Sequence, residues 1–411
     1  MSVVIIGAGQ AGARAAEALR KAGYKQSVTL LGEESYLPYE RPILSKGVLQ
    51  GTVDVGQTML LPESFYKEQA ITLMLGVRAT AIDRTGRLVR LESGTCLPYE
   101  NLILATGLRS RPLLGVPELG EQVFCVRTIE DTERLRPRLL RATEVLILGG
   151  GFLGMELAAT ARLMGCRVSV TERNPSILFK AVAAEVAQHL AALHEAQGVR
   201  VLTRAKPTHF KRVSNRVHVQ FSNGETLVAD TIVVAIGSIP NTELAEAAGL
   251  EVQDGIVTDD YGRTSDPHIW AVGDVSRHYN ATLDRTVRVE SWQNAQNQAI
   301  CVGRSIAGDL QSYTEVPWFW SDQFNWNLQI LGYPHLWDHV VFRGDPSKEK
   351  FSVLYLSQGR LVGANMINNG RELKPLRQLI EAGTRLDAEL ARDPSVALLD
   401  AVARSVESRT S

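Results

Sequence analysis

The sequence predicts an α/β protein made of two Rossmann-type βαβ folds and a small C-terminal α+β domain. Three observations carry this. An apolar strand runs into a G-x-G-x-x-G turn at Gly7, and the same arrangement returns at Gly149. Each unit is followed by an alternating meander and a second apolar strand ending in glycine, Asn101 to Gly107 and Thr231 to Gly237. From Val316 onward the chain turns to clustered tryptophans, alternating strands and two closing helices, about Gly370 to Ala382 and Leu386 to Val406. The first two observations together describe a duplication at domain scale.

Val3 to Ile6 are β-prone and apolar, as a buried parallel strand requires. Gly7 then allows a tight turn, Gly9 leaves room for a pyrophosphate against the backbone, and Gly12 lets helix and strand pack closely. Gln10 and Ala11 lead into the Ala-rich run Ala13 to Ala22, whose free N-terminal N–H groups favour an anion. The next strand, Ser27 to Leu31, leaves Glu33 just past its end, where a carboxylate accepts hydrogen bonds from an adenosine ribose. The bland alternative is an ordinary strand-to-helix turn. In the second unit Gly149, Gly151 and Gly154 hold the three glycine positions, Phe152 and Leu153 open a helix that runs to Met164, and the strand Arg167 to Thr171 ends in Glu172. Two such folds imply two bound dinucleotides.

Between the units, Pro38 and Pro42 break the chain, and a helix is expected to begin at Pro42. Arg41 and Lys46 in this stretch face either a cofactor or solvent. Ala105, Thr106 and Gly107 are small residues at a strand end, which admit a flat ring or a phosphate to the backbone. Gly237 repeats that ending. The chain then returns to the first fold: Ile269 to Asp274 reads as an apolar strand closing on Gly273 and an aspartate placed either to bind a hydroxylated linker or to cap a helix. The helix from Ser291 to Ala307 aims its positive end back at the same place. The expected divisions are 1–110 and 238–314 for the first fold, 111–237 for the second, and 315–411 for the C-terminal domain. The aromatic cluster Trp318, Phe319, Trp320 and Trp326 is read first as core.

Length and composition bound the function. The chain has 411 residues, 45% of them apolar, and a formal charge of −1, which favours neither nucleic acid nor a membrane surface. The longest apolar runs are strand-sized and no secretion signal opens the chain, so a cytoplasmic protein is expected. Cys96, Cys125, Cys166 and Cys301 are scattered without C-x-x-C spacing, which argues against a metal site and against a redox disulfide.

These motifs, in this order, resemble the FAD-dependent NADH:ferredoxin reductases of the glutathione-reductase-like fold. The resemblance is carried by Gly7 to Gly12, Leu37-Pro38-Tyr39-Glu40-Arg41-Pro42-Ile43-Leu44-Ser45-Lys46, Ala105-Thr106-Gly107, the second glycine turn ending in Glu156, Ala271-Val272-Gly273-Asp274, Glu290-Ser291-Trp292-Gln293-Asn294-Ala295 and Pro317 to Gln323. The aromatic-ring dioxygenase reductases are the nearest in look. The resemblance implies that Gly7, Gly9, Gly12 and Glu33 hold the adenosine diphosphate of FAD. It implies that Arg41, Lys46, Ala79, Arg127, Asp274 and Trp292 contact the rest of FAD, with Lys46 near the reacting end of the ring. Glu156 would face the nicotinamide, and Trp320 would border the flavin from the C-terminal domain. Gly32 stands at the last strand position, where relatives carry an acid, so either Glu33 or Glu34 is the ribose ligand.

The implied activity passes electrons from NADH through FAD to a [2Fe–2S] ferredoxin of Rieske type that feeds an aromatic-ring dioxygenase or a haem monooxygenase. Glu172 favours NADH, because a carboxylate there binds a free 2′-hydroxyl and repels a 2′-phosphate, while Arg173 beside it pulls the other way. Arg288, Arg304 and Arg343 are candidate contacts for an acidic ferredoxin. The alternatives are an NADH oxidase or rubredoxin reductase, and a flavin-bound redox sensor. A monomer and a homodimer are both compatible with the sequence.

Overall fold

The computed structural model describes residues 2–115, 117–179, 181–332 and 337–403. Its centre is strand β1, Ser2–Ile6, fully buried from Val3 onward and followed at once by helix α1, Gln10–Lys21. β1 is the middle of a five-stranded parallel sheet in the order Ile269–Ala271, Asn101–Leu104, β1, Ser27–Gly32, Ile71–Leu75. The outermost strand comes from far along the chain, so the chain leaves this sheet and returns to it.

The second sheet repeats the plan. Strand β2, Glu144–Leu148, is its centre and helix α2, Phe152–Leu163, follows it. The order Val199–Leu202, Arg167–Thr171, β2, Thr231–Val234, Val123–Phe124 is again all parallel. Helix α3, Ala184–Ala196, precedes the edge strand. Each half also carries an antiparallel three-stranded meander, Ala79–Asp83 to Cys96–Pro98 in the first and Pro207–Val213 to Thr226–Ala229 in the second. The two crossings between the halves lie side by side, Leu108–Ser110 pairing antiparallel with Ser238–Pro240.

Helix α4, Trp292–Ile306, packs along α1. Its N-cap Ser291 accepts a hydrogen bond from the Asn294 N–H, so the Ser291-to-Ala307 helix forms as expected, with those residues as caps. The C-terminal part is a five-stranded antiparallel sheet that opens with strand β3, Trp318–Gln323, and is backed by the helix Leu373–Glu381. One face of that sheet merges with the second half: Trp326, Leu328, Ile330, Phe351, Val353 and Tyr355 share an apolar core with residues of β2, α2 and α3. The Tyr355 hydroxyl accepts from the Ala183 N–H across this seam at 2.8 Å.

Four expectations need correction. No helix begins at Pro42: residues 41–46 are turns, and the short helix Gly47–Gln50 follows. The Arg41 and Ile43 carbonyls accept from the Leu44 and Lys46 N–H groups, three residues on, so the segment closes tight turns in place of a helical ladder. The final helix from Leu386 is only Ala388–Arg392, because Asp393 leaves helical backbone after one turn; the rest of that expectation, beyond 403, lies outside the described residues. The aromatic stretch at 318–320 is a strand, not only a core cluster. Arg343 is no docking contact: it is 4% exposed and donates to Glu372 and to the Ala391, Asp393 and Val396 carbonyls. Arg288 and Arg304 are each paired at home, with Glu290 and with Asp309.

Candidate active site

Both glycine turns are built by the same two contacts. Gly7 has φ +113°, and a Cβ on it would lie 2.2 Å from the Ala105 carbonyl oxygen; Gly149 has φ +110°, and its Cβ would lie 2.2 Å from the Ala235 oxygen. A Cβ on Gly12 would sit 1.9 Å from the Gly7 oxygen, and one on Gly154 the same distance from the Gly149 oxygen. Any side chain there pushes the helix off its strand. Gly9 and Gly151, by contrast, have nothing within 4 Å of a Cβ. They are the N-caps of α1 and α2, neither helix has a side-chain cap, and neither first turn holds an acid. Each helix therefore offers bare N–H groups and positive dipole charge to one open space.

That space is a continuous cleft of about 2640 Å³ running past both turns. Of the candidate residues, Gly7, Gly9, Gln10, Ala11, Ala79, Ala105, Thr106 and Gly107 line it from the first half. Gly149, Gly151, Phe152, Leu153, Glu156, Glu172, Arg173 and Gly237 line it from the second. Glu33, Glu34, Arg41, Arg127, Asp274, Glu290, Ser291, Trp292 and Trp320 also reach it. Gly12, Gly154, Gly273 and Lys46 stand behind its wall, where the two glycines lock the helices and Gly273 abuts Ala11 and Ala295.

The acids after the second strand divide. Glu34 is committed to Arg41 at 2.6 Å and to the Tyr39 hydroxyl, whereas Glu33 is exposed and only 3.8 Å from Arg78. Gly32 has no side chain because a Cβ would lie 2.5 Å from that of Ala8 in the turn. In the second half the Glu172 carboxylate accepts from the Gly150 N–H at 3.0 Å and from Asn174, which fixes it at the cleft edge beside exposed Arg173.

A chain of charges lines the middle. Arg41 donates to the Arg127 carbonyl at 2.6 Å, and Arg127 lies 3.7 Å from Asp274. Burial pushes the Asp274 carboxyl up to about 6, against the pull of Arg127. Burial, and then neighbouring Arg41, draws Arg127 down. Burial also acts to lower Arg41, but Tyr39 and Glu34 outweigh it and hold the guanidinium above its ordinary value. Thr106 and Asn241 exchange two hydrogen bonds, Oγ1 to carbonyl at 2.7 Å and Nδ2 to carbonyl at 2.8 Å, which clamps the crossing strands under the cleft.

Deep in the cleft, Glu156 of α2 is 8% exposed and accepts three hydrogen bonds from two segments, the turn at 45–46 and β3. Lys46 Nζ lies 2.6 Å from its Oε2, Ser45 Oγ donates to the same oxygen at 2.7 Å, and Ser321 Oγ donates to Oε1 at 2.7 Å. The Thr160 hydroxyl, one turn further along α2, holds the Ser45 carbonyl at 2.7 Å. Trp292 and Trp320 close this end edge-to-face, centroids 6.0 Å apart, and Trp318 stacks on Trp320 at 5.3 Å. Ser45, Ser321 and Tyr39 were missed from sequence.

The matching family model is that of the pyridine nucleotide-disulphide oxidoreductases, over residues 1–299, and a reductase C-terminal model matches 318–402. The chain belongs to this pyridine nucleotide-disulphide oxidoreductase family, and is an oxidoreductase that uses FAD and NAD(H). It is 40% identical over 96% of its length to the ferredoxin–NAD(+) reductase component of the anthranilate 1,2-dioxygenase system of Burkholderia cepacia, covering 98% of that protein. The ferredoxin reductase for the CYP199A2 system of Rhodopseudomonas palustris superposes with a TM-score of 0.94 at 39% identity, covering 98% of this chain and 100% of that one. The reductase in a covalent putidaredoxin reductase–putidaredoxin complex gives 0.93 at 35%, covering 97% of each.

The cleft fits the two cofactors on its own geometry. Both side-chain polar atoms of Gln10, and Trp292 Nε1, are buried without a protein partner at its wall. Open N-caps at Gly9 and Gly151 leave room for two pyrophosphates. The family's name notwithstanding, the four cysteines stand unpaired, Cys96 exposed, Cys166 buried and Cys125 and Cys301 half-buried. Among the described residues no helix is long and apolar enough to cross a membrane, and no group of three or more His, Cys, Asp or Glu residues is arranged to hold a metal.

Proposed function

We propose that the chain is an FAD-dependent NADH:ferredoxin reductase whose acceptor is a [2Fe–2S] ferredoxin, of Rieske type, serving an aromatic-ring dioxygenase or a haem monooxygenase. The observation that carries this is the pair of open-capped glycine turns facing one cleft without a redox disulfide. The ferredoxin reductases it is similar to over the whole chain support the acceptor.

FAD, when bound, takes up the electron pair of a hydride and gives electrons up singly. The remaining work falls to side chains. The α1 N-terminus with Gly9, Gln10 and Ala11 receives the FAD pyrophosphate, and Glu33 the adenosine ribose, since Glu34 is spent on Arg41. Arg41, Arg127 and Asp274 hold the polar linker; Ala79, Ala105, Thr106 and Gly107 give it a close floor. Gly273 sets the approach of the 269–271 strand to α1, and Glu290 and Ser291, at the cleft end of α4, would turn that helix's positive end toward the flavin. The α2 N-terminus with Gly151, Phe152 and Leu153 receives the NADH pyrophosphate, with Glu172 on its ribose and Gly237 beneath. Glu156 orients the nicotinamide side, Lys46 supplies positive charge where negative charge develops, and Trp292 and Trp320 exclude water. Residues 1–110 with 238–314 form the FAD domain, 111–237 the NAD domain and 315–411 the C-terminal domain. We assign the protein to the cytoplasm, as a monomer or homodimer.

Cytochrome c reduction by NADH tests this. The reading requires turnover that depends on added ferredoxin; rapid NADH-driven oxygen consumption without ferredoxin would favour the oxidase instead.

A further inference from the structure

Side chains along β3 alternate between two faces. Trp318 and Trp320 share one and stack on each other. Phe319, Ser321 and Gln323 share the other, which faces α2 and α3. Phe319 meets Phe152 edge-on, centroids 4.5 Å apart. Ser321 and Gln323 instead make a polar line through a seam otherwise filled by apolar side chains.

The line runs one way. Ser321 Oγ donates to Glu156 Oε1 at 2.7 Å, Gln323 Nε2 donates to Ser321 Oγ at 3.1 Å, and the Gln323 Oε1 faces His194 Nε2 at 3.0 Å. With its amide nitrogen spent on Ser321, Gln323 presents an acceptor to His194, which therefore carries its proton on Nε2. Ser321 and His194 are 0% exposed and Gln323 1%. Every hydrogen on the path points toward the Glu156 carboxylate. Burying three polar side chains where apolar ones would pack costs free energy, and the line leads nowhere but to the cleft.

We propose that Ser321, backed by Gln323 and His194, is a positioning residue for hydride transfer: it fixes one oxygen of Glu156 so that the other holds the Lys46 ammonium at the cleft wall. This rests on the FAD and NADH reading given above. It also makes the C-terminal sheet part of the site that the two dinucleotide folds build, rather than a separate appendage.

The test uses the full-length, FAD-loaded protein and the near-isosteric substitutions Ser321→Ala and Gln323→Met. At saturating NADH without oxygen, Ser321→Ala slows bleaching of the flavin band by about tenfold, and Gln323→Met slows it less, while the apparent Kd for NADH stays within about twofold. In the Lys46→Met background, Ser321→Ala has no further effect, because both act through one carboxylate. The visible circular dichroism of the oxidised protein, read with no turnover, changes in Ser321→Ala. An unchanged rate and spectrum overturn the proposal. So do independent, multiplying effects of Ser321→Ala and Lys46→Met, or a loss confined to NADH affinity. Wild-type protein that binds FAD but never bleaches overturns the reading beneath it; wild type that bleaches beside an unaffected Ser321→Ala overturns the positioning role alone.

Discussion

The Lys46 ammonium lies 2.6 Å from the Glu156 carboxylate, although the two residues are 110 positions apart and belong to different dinucleotide folds. The pair is held among Ser45, Ser321 and the Thr160–Ser45 contact, so the cation cannot swing to solvent. The carboxylate of this pair lines the cleft and holds the cation just behind its wall, where it could answer negative charge developing on an acceptor.

Replacing Lys46 with Met removes that charge and keeps the stem. Flavin reduction by NADH in stopped flow is expected to slow by roughly a hundredfold, with FAD still bound. An unchanged rate would remove Lys46 from the chemistry.

The two glycine locks separate the two cofactors. Gly12→Ala places a Cβ 1.9 Å from the Gly7 oxygen and is expected to yield protein depleted of FAD. Gly154→Ala makes the equivalent clash at Gly149, and is expected to keep FAD while raising the KM for NADH by about tenfold or more. Equal flavin content in both variants would contradict the assignment of the first turn to FAD.

Glu172 sets coenzyme preference. Its carboxylate is pinned by the Gly150 and Asn174 N–H groups, and cannot turn away from a 2′-phosphate. The ratio of kcat/KM for NADH over NADPH is expected to be on the order of a hundred, and Glu172→Gln to lower it about tenfold. A native preference for NADPH would show that Arg173 dominates.

Burial acts on three groups with opposite signs. His194 and His278 are pulled down to about 4 from 6.5, and Asp274 is pushed up to about 6 from 3.8. Between about 4 and about 6 the unfolded chain protonates both histidines and the folded chain neither, so they make stability rise with pH. Asp274 holds its proton in the folded chain and not in the unfolded one, so it makes stability fall. Two groups outweigh one. The melting temperature of FAD-free protein is expected to climb through that window, and Asp274→Asn to steepen the climb. A flat or falling profile would contradict this.

Cys125 lines the cleft, but burial and Asp131 push its thiol up, which makes it a poor nucleophile. Cys125→Ser is expected to retain NADH-driven flavin reduction within about twofold. Loss of reduction would reopen a thiol mechanism.

Both glycine turns, the return of the 269–271 strand and the α4 helix were legible because their signals are local: apolar runs and glycine spacing. The fit of Gly32 was not, since its reason is Ala8, distant in sequence. The role of Arg343 was misread because exposure cannot be seen in a lone arginine; its four acceptors come from two distant stretches, Glu372 and residues 391–396. Ser321 escaped because the tryptophans on either side suggested a core cluster, while the period of two that turns it toward Glu156 emerges only when β3 pairs with Trp326–Gly332.

The most direct measurement is an anaerobic titration of the purified, FAD-reconstituted protein with NADH, followed by an oxidised [2Fe–2S] ferredoxin. The account predicts a yellow protein whose visible band bleaches with NADH and returns as the ferredoxin is reduced. A protein that stays colourless after reconstitution, or bleaches with NADH and passes nothing to any ferredoxin, would contradict it.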